Sequence, residues 1–185
     1  MQIDGLQFRI GPKSFFQTNT KQTQVLYHKI RELAHLQGDE VLYDLYTGVG
    51  SIALFLARYV RHVVGLEVTE GAVADAKINA QLNHLKNATF VAGEVEQLLD
   101  APFLATHGRP QVVVTDPPRA GMHPRVVKQL LEIAPEKIVY VSCNPTTQAR
   151  DLALLGDKYQ LVTAQPIDMF PHTSHVENIA LLQRY

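Results

Sequence analysis

Cys143 is the only cysteine among the 185 residues, and it lies in Ser142-Cys143-Asn144-Pro145, directly after the apolar run Lys137-Ile138-Val139-Tyr140-Val141. Runs of this kind form buried strands of parallel sheets, and open α/β proteins place their chemistry beyond the carboxyl ends of such strands. A thiol there is a candidate nucleophile. By default a lone cysteine is a small buried hydrophobe, so a reactive one needs company. Upstream stand Asp44-Leu45-Tyr46-Thr47-Gly48-Val49-Gly50, then Glu67, then Asp116-Pro117-Pro118-Arg119, and downstream stands His175-Val176-Glu177.

The first of these groups is a strand end followed by a glycine turn. Gly48 and Gly50 allow backbone amides to approach a bound ligand closely, although the third glycine of the dinucleotide fingerprint is missing. Seventeen positions after Gly50 comes Glu67, at the end of the next apolar run, where a carboxylate can accept hydrogen bonds from both hydroxyls of a ribose. The two together point to an adenosine-type ligand such as NAD or S-adenosylmethionine. Asp116-Pro117-Pro118 adds a stiff wall at the same edge, between cofactor and substrate, with Asp116 as a hydrogen-bond acceptor.

Positioning these groups requires alternating strands and helices. Residues 6–10 alternate like a short strand, and Asn19 or Thr20 caps a helix that carries Val25, Leu26, Ile30 and Leu33 toward Gly38. Strands are expected at 41–44, 62–66, 89–92, 111–115 and 138–141. Helices are expected at 52–59, 69–82, 94–99, 124–133 and 146–155. Two extended runs, 159–167 and 176–182, then form an antiparallel pair. The expected fold is α/β and Rossmann-like: a mostly parallel sheet with helices on both faces and a C-terminal antiparallel hairpin.

Composition narrows the partners. The chain is long enough for one domain, residues 1–185, and its 46% hydrophobic and 19% charged residues are ordinary for a folded soluble protein. One cysteine excludes an internal disulfide framework or a cysteine-built metal site within this chain, and it fits a reducing, cytoplasmic setting. The start, Met1-Gln2-Ile3-Asp4, lacks signal-peptide character, and no apolar run reaches membrane-span length. Eight scattered histidines without a His-Glu-x-x-His pattern give no metal site. With 17 Lys and Arg against 18 Asp and Glu, affinity for nucleic acid must come from a local patch or another domain.

Five segments, in order, resemble the catalytic domain of the 5-methyluridine RNA methyltransferases. They are Phe15-Phe16-Gln17-Thr18-Asn19, Asp44 to Gly50, Asp116-Pro117-Pro118-Arg119-Ala120-Gly121, Val139 to Pro145 and His175-Val176-Glu177. The resemblance implies S-adenosylmethionine as cofactor, with Gln17, Tyr46, Glu67 and Asp116 on contacting positions and Glu94 on another cofactor-side position. Gly48, Gly50 and Ser51 of the turn are further cofactor-binding positions, although Ser51 departs from members that carry Asn directly after the second glycine. It also implies Cys143 as the nucleophile that adds to carbon 6 of uracil and Glu177 as the base that removes the carbon 5 proton. Arg119 would orient the base, hold a developing oxyanion or contact a phosphate.

The expected substrate is a uridine in structured RNA, with 23S ribosomal RNA favoured over transfer RNA because the Thr47 and Ser51 form of the glycine turn resembles the transfer-RNA branch of the family less. Family members commonly carry an N-terminal oligonucleotide-binding barrel, sometimes with an iron–sulfur cluster. This chain is expected to be the catalytic domain without that portion, relying on a partner if it stands alone. Two rival readings are amino methylation, where an aromatic residue usually follows Asp/Asn-Pro-Pro, and a cofactor-binding module inactive by itself. Arg119, Cys143 and Glu177 oppose the first.

Overall fold

The computed structural model describes residues 1–11, 17, 19–173 and 176–185. The chain opens with a hairpin of β1 (Gln2–Ile3) and β2 (Leu6–Gln7), turned by Asp4 and Gly5 at positive φ. The strand expected at residues 6–10 stops at Gln7 because helix side chains replace the ladder beyond it. Asn79 accepts from the Arg9 amide at 2.7 Å and Asp75 from the Gly11 amide at 2.8 Å. Helix α1 (Thr20–Ala34) begins at Asn19, whose side chain accepts from the Gln22 amide at 3.2 Å. It ends at left-handed His35, short of Gly38.

The alternation then follows: β3 (Val41–Leu45), α2 (Ser51–Ala57), β4 (His62–Glu67), α3 (Glu70–Leu82) and β5 (Ala88–Ala92). After these come α4 (Val95–Leu98), α5 (Ala101–His107), β6 (Val112–Thr115), α6 (Pro124–Ile133) and β7 (Lys137–Ser142). The chain closes with α7 (Pro145–Leu155), β8 (Tyr159–Ile167) and β9 (Glu177–Arg184). Helix α5 is absent from the sequence expectations. Its signal was there: Asp100 caps the Phe103 amide at 2.8 Å and Pro102 occupies the first turn.

Seven strands form one sheet in the order β5-β4-β3-β6-β7-β9-β8. The β3, β4, β5, β6 and β7 pairings are parallel, and β9 pairs antiparallel with both β7 and β8. The expected fold class is therefore correct. Alternation along β3 sends Val41, Tyr43 and Leu45 into the core shared with α5 and α6, and Leu42 into the core under α1, α2 and α3. Strand order reverses between β3 and β6, so the loops after these two strands diverge and open a crevice.

Candidate active site

The crevice is a cleft of about 730 Å³. On the β3 side it is built by the glycine turn. Asp44, 1% exposed, accepts from the Thr47 hydroxyl at 2.5 Å and from the Ala53 amide at 3.1 Å, which curls the turn onto the start of α2. Tyr46 adopts positive φ, unusual outside glycine, and lines the cleft beside Gly48. Glu67 closes this end: its two carboxylate oxygens accept from the Gly48 amide at 3.0 Å and the Thr69 amide at 2.9 Å. Gln17 and Glu94 line the same cleft.

Gly50 and Ser51 stand apart from it. A Cβ on Gly50, which has φ +80°, would lie 2.9 Å from the Phe90 ring, so close packing and conformation both demand glycine here. The Ser51 hydroxyl accepts from Tyr27 at 2.7 Å. Ser51 lines a separate pocket of about 60 Å³ beneath the turn, together with Asp44, Tyr27 and Asp116. The expected cofactor contacts at Gly50 and Ser51 thus lie behind the turn that faces the cleft.

At the other end the sheet brings the expected nucleophile and the expected base together. The antiparallel register that sets Ser142 opposite Asn178 puts Cys143, one residue on, level with Glu177. Buried Gln148 of α7 locks this register by donating to the carbonyls of Tyr140 at 2.8 Å and Asn178 at 3.2 Å. Cys143, partly exposed, and Glu177, 9% exposed, both line the cleft, as do Asp116 and Arg119.

Three carboxyls around this space are held above the usual carboxylate range. Burial raises Asp44 to about 7, against the hydrogen bonds from Thr47 and Ala53. Burial and then the charges of Glu177 and Asp44 push Asp116 up to about 8. Burial raises Glu177 to about 7, and the Arg119 guanidinium pulls it back down. Such a constellation is poor in countercharge and suited to a cationic ligand and to proton transfer near neutrality. Among the described residues no group of three or more His, Cys, Asp or Glu can hold a metal ion, and no helix is long and apolar enough to cross a membrane.

Two contributions escaped the sequence. Asp44 opens the resembling glycine turn there without a role of its own, yet its buried Oδ1 has no hydrogen-bond partner. Met169 and Phe170 line the cleft from the connection between β8 and β9, and the Met169 carbonyl accepts from the Asn19 side chain at 2.9 Å. Their place after an edge strand of the hairpin was the available signal. Of the residues carrying the family resemblance, Phe15, Phe16, Thr18 and His175 lie outside the described residues.

A family model described as tRNA (Uracil-5-)-methyltransferase matches residues 2–185. A protein of Bacteroides thetaiotaomicron, named an uncharacterized RNA methyltransferase, is 55% identical over 182 residues, which are 98% of this chain and 40% of that protein. A protein of Enterococcus faecalis with the same name is 50% identical over 98% of this chain and 40% of its own length. The chain therefore spans about 40% of the length of these curated relatives. The crystal structure of Pyrococcus abyssi tRNA (uracil-54, C5)-methyltransferase in complex with S-adenosyl-L-homocysteine matches with TM-score 0.85 and 39% identity, over 98% of this chain and 43% of that one. A precorrin-6y C5,15-methyltransferase from Geobacter metallireducens shares the fold alone, with TM-score 0.72 and 15% identity over 96% of this chain and 94% of its own.

Proposed function

Because the chain belongs to the tRNA (uracil-5-)-methyltransferase family, we propose that it transfers a methyl group from S-adenosylmethionine to carbon 5 of a uridine in structured RNA. The observation that carries this is the meeting of Cys143 and Glu177 across β7 and β9 in a cleft whose far end holds Glu67 and Glu94. Cleft charge favours this cofactor over NAD. A sulfonium with an ammonium group suits a space lined by Glu67, Glu94, Asp116 and Glu177, whereas a pyrophosphate would meet repulsion there.

The residues present fit such a ligand. Glu67 is braced by two backbone amides and keeps lone pairs for ribose hydroxyls. The unpartnered Asp44 Oδ1 supplies a buried acceptor beneath the turn, and Gln17 and Tyr46 border both spaces. When bound, S-adenosylmethionine supplies an electrophilic methyl group.

Carbon 5 of uracil is too weak a nucleophile to take that methyl group unaided. The Cys143 thiolate forms a bond to carbon 6, and the electron pair of the 5,6 double bond moves into an enolate, making carbon 5 nucleophilic. After methylation Glu177 accepts the carbon 5 proton, the double bond re-forms and the sulfur leaves as thiolate. Arg119, whose charge acts on Glu177, favours the ionised carboxylate against burial and stands ready for the enolate oxygen.

RNA recognition is shared with sequence or a partner outside this catalytic domain, consistent with a net charge of −1. A cytoplasmic setting suits a free Cys143. The Thr47 and Ser51 form of the glycine turn favours ribosomal RNA by its likeness to one branch of the family; both hydroxyls face inward, to Asp44 and Tyr27, so neither touches RNA itself. The P. abyssi relative acts, by its name, on uracil 54 of a tRNA. Mapping 5-methyluridine in ribosomal and transfer RNA from a strain lacking the gene decides between them: one site should lose its methyl group. Complete retention in both RNAs overturns the proposed reaction.

A further inference from the structure

The backbone that carries Arg119 is read, residue by residue, by one face of α7. Asn144 Nδ2 and Thr147 Oγ1 donate to the Arg119 carbonyl at 3.0 and 3.1 Å. Arg150 Nη2 donates to the Ala120 carbonyl at 3.0 Å, and the Met122 amide donates to Asp151 Oδ2 at 2.8 Å. Gly121 lies so close that a Cβ there would sit 2.7 Å from Asp151 Oδ2 and 2.6 Å from Arg150 Nη2, and its φ of +82° is itself unfavourable to other residues.

Asp151 is the hub. It is 1% exposed, and its Oδ2 also accepts from the Tyr140 hydroxyl at 2.7 Å while Oδ1 accepts from Arg150 Nε and Nη2 at 2.9 and 2.7 Å. A surface ion pair with Arg150 alone would need no buried carboxylate and would contribute little. Four donors converging on a buried carboxylate instead make a rigid fixture, expensive to disturb. That fixture joins three pieces: Tyr140 of β7, helix α7, which starts two residues after Cys143, and the loop that presents Arg119.

Resting on the roles given above to Cys143, Arg119 and Glu177, we propose that Asp151 is a positioning residue that clamps the 119–122 backbone to α7, so that Arg119 and Cys143 are carried on one rigid unit. Catalysis then depends on Asp151 through Arg119. A displacement of the order of 1 Å at a reacting group can cost about a hundredfold in rate.

Two measurements test this on the protein that carries this chain. In hydrogen exchange, Asp151→Asn should speed exchange of the Met122 amide while amides of β3 and β6 keep their protection. Methyl incorporation into RNA isolated from cells lacking the protein should fall roughly tenfold to a hundredfold in kcat, with the dissociation constant for S-adenosylhomocysteine changed by less than about threefold. In an Arg119→Ala background the same Asp151→Asn change should cost less than about threefold, because its effect passes through Arg119. Gly121→Ala, which keeps the Asp151 carboxylate but pushes the loop off it, should reproduce the fast Met122 exchange and the loss in kcat, and keeps the test open if Asp151→Asn folds poorly. Unchanged Met122 exchange in both variants, or losses that add independently of Arg119, overturns the role of Asp151 alone. Wild-type protein that incorporates no methyl group overturns the proposed reaction, and this role with it.

Discussion

Glu177 sits between two opposing influences, burial that raises its pKa to about 7 and the Arg119 charge that lowers it. A base works only as the carboxylate, so turnover, limited by release of the methylated uracil, should fall as pH drops through about 7, and Arg119→Ala should move that acidic limb upward in a pH–rate profile. Cys143 and Glu177 should also fail at different stages. With RNA containing 5-fluorouridine, whose carbon 5 releases no proton after methylation, wild-type protein should be trapped as a covalent adduct visible on denaturing gels. Cys143→Ala should form no adduct, and Glu177→Gln should accumulate one even on ordinary uridine. An adduct with Cys143→Ala would assign the nucleophile elsewhere, and normal turnover by Glu177→Gln would assign the base elsewhere.

Among the elements, the start of α2 is tightly specified. Gly50→Ala must place a methyl group 2.9 Å from the Phe90 ring at φ +80°. It should lower unfolding free energy by about 1–3 kcal/mol in denaturant titration, with an unchanged m value. An unaltered midpoint would mean that β5 gives way without strain. Most elements were legible in the sequence for a common reason: the β3, β4, β6 and β7 runs are buried, and period or a terminal signal delimits α6, β8 and α7. What was not legible depends on groups distant in sequence. Asn79 and Asp75 end β2 by taking its successors' amides, and Gln148 ties β7 to β9; no local pattern announces either. Likewise Cys143, Glu177, Asp116 and Glu67 could be singled out by type and place, whereas the inward turn of Ser51 toward Tyr27 depended on a helix 24 residues away.

For the molecule as a whole, the raised carboxyls make the ligand-free protein less stable as pH rises. Asp44, Asp116 and Glu177 have folded-state values of about 7, 8 and 7 against ordinary values of 3.8, 3.8 and 4.5. Between those limits the native state holds protons that the unfolded chain has released, so stability declines through that window, and the decline is complete above about pH 8. The thermal midpoint should therefore be lower at pH about 8.5 than at about 6, and Asp116→Asn should raise it most at the higher pH while weakening S-adenosylmethionine binding. A midpoint insensitive to Asp116→Asn across that range would show that the cleft carries no such strain. The sheet order has a separate consequence for biosynthesis. β9 follows β8 in the chain yet lies between β7 and β8 in the sheet, and Glu177, the proposed base, is its first residue. While the nascent chain ends anywhere before β9, β7 has an open edge and Cys143 has no partner strand. On the reaction proposed above, competence to release a methylated uracil would arise only when this late strand inserts, and a chain stalled during synthesis would complete no catalytic cycle on RNA nearby.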